Sequence, residues 1–232
     1  MDRRVGDRAA WLAERQVLLA DEKRHLAERD ELARRRRELP WVPVDKSYEF
    51  ASPEGTRSLS ELFGERSQLL VYHFMMGPDW DEGCPSCSFW ADSFDGVGVH
   101  LAHRDVSFVV VSRAPVDHIE DYRTRMGWSF PWYSSMGSDF NFDFGVSFTD
   151  DHPTAEPTYN FGAISDPPDE MPGLSAFALA DGEVFHTYST YSRGLDAFNA
   201  AYQLLDLAPR GRDEDELDFT MSWLHRHDAY PD

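Results

Sequence analysis

The chain has 232 residues, 41% of them hydrophobic and 14% aromatic. That composition supports a substantial core and excludes both a disordered tail protein and a small disulfide-stapled scaffold. The formal net charge is −20, unevenly spread: residues 1–50 hold 12 Lys/Arg against 11 Asp/Glu, leaving 10 basic and 31 acidic side chains for residues 51–232. A body this negative repels phosphate backbones and anionic bilayers, so neither nucleic acid nor a membrane is an expected partner. No run approaches the roughly 18 apolar residues of a membrane span and the first residues are charged, so the expected location is cytoplasmic.

Residues 7–39 read as one long helix, free of proline and rich in Ala, Glu, Arg and Leu. Leu12, Leu19 and Leu26 recur every seven residues, and Leu18, Leu32 and Leu39 share a second heptad position. Arg34 to Arg37 read as its solvated basic end, and Pro40 stops it. The apolar stripe suits packing on the chain's own domain or a homodimer with a second copy.

Residues 58–64 read as a short helix with Ser58 and Glu61 at capping-box spacing and Gly64 closing it. Residues 69–74 form an apolar run suited to a buried strand, with His73 expected as a packed strand residue. Gly77, Pro78 and Gly83 mark a loop. A helix is expected from Cys84 or Pro85, with no proline between Ser88 and His103, and a second buried strand over 106–111. Strand, helix and strand of these lengths make a parallel unit. A helix over about 116–126 follows. Residues 128–174 combine many aromatics with a proline-punctuated stretch (Pro153, Pro157, Pro167, Pro168, Pro172) and show no clear period, so they read as an insertion with packed structure of its own. Asp181-Gly182 between strand-like runs signals a hairpin. Leu195, Phe198, Tyr202 and Leu205 mark one last helix face; the acidic end from Asp213, which carries His225 and His227, is expected as a solvated helix, with folding over the cysteine site as the alternative.

Chemistry centres on Cys84-Pro85-Ser86-Cys87, the chain's two cysteines. One Cys pair with no suitably spaced histidines does not make a structural zinc site, so no metal and no cofactor is expected. At a helix start the first thiol is the more exposed and sits by backbone amides that favour its thiolate, so Cys84 is the expected nucleophile. Cys87 is positioned to resolve a mixed disulfide. Pro85 and Ser86 lie between them, and Trp80 and Trp90 flank them as a possible apolar rim. Asp79, Asp81, Glu82 and Asp92 lie close in sequence and oppose a thiolate, which predicts a reductant-like couple.

The segments Glu38-Leu39-Pro40-Trp41-Val42, Tyr72-His73-Phe74-Met75, Gly77-Pro78-Asp79-Trp80, residues 83–92 around the cysteines and Trp223-Leu224-His225-Arg226-His227-Asp228 resemble the thioredoxin superfamily. Within it they resemble a bacterial family of thioredoxin-like proteins described as dithiol-disulfide oxidoreductases. The resemblance implies an α/β thioredoxin-like fold with Cys84 and Cys87 as the redox pair, acting on a disulfide-containing protein or small thiol substrate with an electron donor to be identified. Thioredoxins proper carry Trp-Cys-Gly-Pro-Cys, whereas here Gly83 precedes Cys84 and Pro85 follows it. The superfamily's cis-proline faces the cysteines before a later strand; Leu174 and Ser175 stand there, with Pro172 the nearest proline.

The expected layout is an N-terminal helical extension over 1–40, a thioredoxin-like domain over 41–210 with the insertion at about 128–174, and an acidic tail over 211–232. Two other readings use the same fold. A thiol peroxidase is disfavoured because Asp81 stands where peroxiredoxins carry a hydroxyl, and a non-catalytic partner-binding protein would keep the fold without turnover.

Overall fold

The computed structural model describes residues 4–231. Residues up to Pro40 form one compact unit and those from Trp41 a second. The first is the helix α1 (Arg8–Arg37), started by Asp7, whose Oδ1 accepts the Ala10 amide at 2.8 Å. Arg34 to Arg37 fill its last turn, and no residue of the helix is buried.

The second unit is built on an eight-stranded mixed sheet in the order β1-β10-β9-β4-β5-β6-β2-β3. In chain order these are β1 (Val42–Pro43), β2 (Glu49–Ser52), β3 (Gly55–Ser58), β4 (Gln68–His73), α2 (Pro85–Ala91), α3 (Gly98–Ala102), β5 (Val106–Ser112), α4 (Val116–Arg125) and β6 (Trp132–Ser134). After them come α5 (Phe140–Asp143), the small hairpin β7 (Thr158–Tyr159) and β8 (Gly162–Ala163), β9 (Gly173–Ala180), β10 (Glu183–Tyr191) and α6 (Ala200–Leu205). β4, β5 and β6 run parallel, while β9 pairs antiparallel with β4 on its other side and with β10. Parallel strands joined through helices, then an antiparallel hairpin returning beside the central strand, make this a thioredoxin-like α/β fold. Among the described residues no helix is long and apolar enough to cross a membrane.

Strand periodicity sends alternate residues to opposite faces, and two cores result. Tyr72, Phe108 and Val110 face one core with Cys87, Trp90, Ile119 and Tyr122. Leu69, Val71, Val109 and Val111 face the other with Phe50, Phe63, Phe140 and Phe177. His73 belongs to the second face: it is buried, stacks on Phe140 at 5.4 Å between ring centroids, and its Nε2 meets Ser175 Oγ at 2.8 Å. Burial pulls its pKa down to about 3, so the ring is neutral.

The Ser58/Glu61 capping box forms, with the Ser58 amide donating to Glu61 Oε2 at 2.7 Å, but the turn it starts is 3-10 (Ser60–Phe63). Asp181 and Gly182 take φ of 53° and 83° in the β9–β10 turn, the left-handed pair that a tight hairpin demands.

Four elements depart from the sequence reading. The helix expected to run through residues 88–103 breaks after Ala91 into α2 and α3, with Gly96 at φ 80° between them. Asp92 and Asp95 turn their carboxylates on Trp128 and Ser129. Residues 132–134, placed within the insertion, are a strand of the main sheet, registered Val111↔Tyr133. The final helix face divides into a 3-10 stretch (Ser192–Phe198) and α6, because Asn199 leaves the helical region to cap α6, its Oδ1 accepting the Tyr202 amide at 2.8 Å. The C-terminal segment is a chain of turns and not a helix.

Gly98 heads α3 with open space where a Cβ would stand. Gly98→Ala is expected to raise stability by about 0.5–1 kcal/mol through the lower helical cost of alanine, checked by urea unfolding.

Candidate functional site

The cysteine pair sits at the carboxyl end of β4. The chain leaves the strand through Phe74, Met75 and Met76, loops through Gly77 and Gly83, and enters α2 with Cys84 at the N-cap and Pro85 in the first turn. Proline suits that place because it has no amide to leave unpaired. The Cys84 amide donates to Met75 O at 3.0 Å, folding the loop back on the strand that launched it. Gly83 is buried under Phe74 and Tyr122; a Cβ there would lie 2.5 Å from the Phe74 ring and 2.6 Å from the Tyr122 ring. Only a residue without a side chain lets the loop pack this closely just before Cys84.

The two thiols occupy different environments. Cys84 is half-buried, whereas Cys87 is 2% exposed and part of the first core. The Cys84 pKa is drawn down to about 6, chiefly by the hydrogen bond from the Cys87 thiol. Burial opposes this, and the amides of Cys87 and Ser86 and the Ser86 hydroxyl add to it. Burial pushes Cys87 well above the ordinary thiol value, and the neighbouring Cys84 reinforces that push. The Met75 amide donates to Cys87 Sγ at 3.4 Å, and the Tyr72 hydroxyl to the Cys87 carbonyl at 3.4 Å. At neutral pH the pair therefore holds one thiolate, outermost, and one proton, on the inner sulfur. Such a pair can attack a sulfur electrophile and then close on itself.

Two of the four carboxylates expected to oppose the thiolate are turned to other partners. Glu82 pairs with Arg125 and, at 2.8 Å, with Arg226. Asp92 Oδ1 accepts Trp128 Nε1 and meets His227 Nδ1, both at 2.8 Å. Asp79 and Asp81 are exposed, and the leading influences on the Cys84 thiol are Cys87, burial and Ser86.

Of the remaining candidates, Ser86 touches Cys84. Trp90 is buried, its Nε1 donating to Leu195 O at 2.8 Å, and its ring belongs to the core. Trp80 is half-buried against the same core, its carbonyl 3.4 Å from His118 Nδ1. Opposite the cysteine end of β4, Gly173 registers with His73, and among the described residues no peptide bond is cis. Pro172 accepts the Tyr159 hydroxyl on its carbonyl at 2.7 Å.

Sequence reasoning singled out His225 and His227 in the C-terminal segment and passed over Arg226. Arg226 reaches back across the chain: Nη2 donates to Gly83 O at 2.8 Å, Nε to the Tyr122 hydroxyl at 3.0 Å, and Nη1 pairs with Glu82. Asp228 pairs with Arg125 at 2.7 Å, and Leu224 is buried. The only signal in the sequence was its place in the Trp223–Asp228 motif, which carries no hint of a partner 143 residues away.

The family described as "Bacterial protein of unknown function (DUF899)" matches residues 1–230. No curated protein matches the chain. Among solved structures, the chain is similar to peroxidoxin BcpB from Mycobacterium tuberculosis (TM-score 0.46, 17% identity, 69% of this chain and 89% of that one). Peroxiredoxin Q from Xanthomonas campestris gives a TM-score of 0.43 at 14% identity, over 67% of this chain and 89% of that one. A hypothetical protein from Sinorhizobium meliloti gives 0.41 at 11%, over 65% and 70%. The fold assignment rests on the strand order above.

Two outcomes test the geometry. Gly83→Ala forces a methyl against two rings and is expected to cost about 1–3 kcal/mol in denaturant unfolding. Arg226→Met removes a charged donor from a buried residue's carbonyl and is expected to cost about 1.5–3 kcal/mol, with faster alkylation of Cys84 at pH 8; an unchanged alkylation rate would mean the tail does not cover the thiol.

Proposed function

The chain belongs to the DUF899 family of bacterial proteins of unknown function, and from that premise we propose that it is a thiol-disulfide oxidoreductase in which Cys84 attacks and Cys87 resolves. The observation that carries this reading is the division of the pair into a lowered, half-buried Cys84 and a raised, buried Cys87. The Cys84 thiolate attacks one sulfur of a substrate disulfide, forming a mixed disulfide and expelling the other sulfur as a thiolate. Cys87 then loses its proton to the departing sulfur and attacks Cys84 Sγ. The second substrate sulfur leaves as a thiolate that takes a proton from solvent, and a Cys84–Cys87 disulfide remains. Two electrons pass from the dithiol to the substrate, and a thiol reductant returns them.

Burial of Cys87 serves both halves of this cycle. While Cys84 is free, the protonated inner thiol donates to it. Once Cys84 is capped, no negative charge remains for that proton to stabilise, and Cys87 becomes the easier acid. Pro85 and Ser86 hold the turn between the sulfurs, and the half-buried Trp80 offers an apolar surface against which a disulfide substrate, protein or small, can rest, while Trp90 supports α2 from within the core.

A Cys84 pKa of about 6 lies between the pKa of roughly 7 known for a reducing dithiol and the roughly 3.5 of a strong oxidant. Stabilising the thiolate stabilises the reduced form, so the couple is expected between roughly −270 and −120 mV. Equilibration with glutathione buffers measures it; a value below that window removes the link between thiolate stability and potential in this protein.

Iodoacetamide alkylation of the reduced protein should rise through a midpoint near pH 6 and then level off, because the thiolate alone reacts. In Cys87→Ala the main donor is gone and the midpoint should move up toward the ordinary thiol value. Activity is read by insulin reduction with a thiol reductant. Equal rates for wild type and Cys84→Ser exclude the enzyme and favour a binding role for the fold, while rapid, Cys84-dependent peroxide consumption without insulin reduction would make it a peroxidase.

A further inference from the structure

We propose that the cavity at the carboxyl ends of β4, β5 and β6 binds a small zwitterion of the α-amino-acid type, its carboxylate on Arg113 and its ammonium on Asp151 and Asp169. This goes beyond the thiol chemistry, since neither cysteine lines the cavity. The crevice is lined from the loops that follow all three parallel strands: Trp80 after β4, Arg113 after β5 and Met136 after β6. Open α/β sheets take their ligands at that edge. The volume is about 600 Å³, in the range of small-molecule sites.

Arg113 is the feature that asks for a ligand. It is 8% exposed, its guanidinium lies 4.4 Å from the centre of the Phe142 ring, and one Nη donates to Glu170 Oε1 at 3.1 Å. Its other nitrogens have no hydrogen-bond partner among the described residues. A buried guanidinium with donors to spare fits a planar carboxylate. Glu170 does not fully neutralise it: burial pushes this carboxyl up to about 7, against the hydroxyl of Ser147 at 2.7 Å and Arg113 itself, which favour the charged form.

The rest of the wall has the opposite sign. Asp139 is taken by Lys46 at 2.7 Å, but Asp151 and Asp169 form no ion pair among the described residues. Asp151 lies near enough to Arg113 to feel its charge. A simple anion meets these carboxylates and a simple cation meets Arg113; a molecule carrying both charges a few ångströms apart satisfies both. The indole of Trp80 and the thioether of Met136 offer an apolar wall for its side chain.

Titration calorimetry of the full chain with L-methionine and L-glutamine tests this, with succinate and putrescine as single-charge controls. Saturable binding of at least one amino acid is expected, with neither control binding as tightly. Arg113→Met should weaken it by tenfold or more, the loss of a charge-assisted pair. Because Arg113→Met could disturb the buried Glu170, the exposed Asp151→Asn is the second variant, expected to weaken binding with an unchanged melting temperature. Failure of both amino acids to bind, equal binding of succinate or putrescine, or wild-type affinity in Asp151→Asn would overturn the proposal. Cys84→Ser should bind as wild type does, so failure here and failure of the redox reading are separately visible.

Discussion

Burial of one sulfur governs the behaviour of the other. Cys87 lies in the core that β4, β5, α2 and α4 enclose, and there an ionised thiol has no water to solvate it. It keeps its proton, and a thiol that keeps its proton is a donor. Cys84, one helical turn earlier and half open, receives that donor together with two backbone amides. With its pKa drawn down to about 6, Cys84 is mostly thiolate at neutral pH, where an ordinary thiol is mostly protonated. No cation is needed to produce this thiolate, and a strongly acidic chain can therefore hold a low-pKa thiol.

The loop before Cys84 makes this arrangement possible at short range. Gly83 passes beneath two aromatic rings, and its carbonyl is held from outside by Arg226. The acidic side chains around it are consumed in the same contacts: Glu82 by Arg125 and Arg226, Asp92 by Trp128 and His227. Exposed pairs of this kind contribute little stability one by one. Their effect here is directional, turning negative charge away from the sulfur and drawing the C-terminal segment onto the loop.

The same edge of the sheet carries the second cavity. Strand ends that release the chain into loops have backbone groups free and side chains that need not pack, so polar groups can gather there at lower cost than within the sheet. Arg113, just after β5, and Glu170, just before β9, are brought together, and the aromatic face of Phe142 shields the guanidinium. The thiols and the cavity share one structural origin, though they share no lining residue.

What the sequence determined was whatever depends on neighbours along the chain. The apolar runs over residues 69–74 and 106–111, the left-handed Asp181-Gly182 turn, the Ser58/Glu61 cap and the order of the two cysteines at a helix start are local effects, written in spacing and residue type. Tertiary structure decided the rest, because charges and burial act through space. Two carboxylates near Cys84 in sequence, Glu82 and Asp92, are paired with other groups once the chain folds. Residues 132–134 become a strand because β5 offers an open edge, and Arg226 becomes a partner of Gly83 because the fold returns its last segment to the mouth of α2. Sequence proximity is a poor guide to field strength once a chain has folded, and the pKa of Cys84 is the clearest instance of that here.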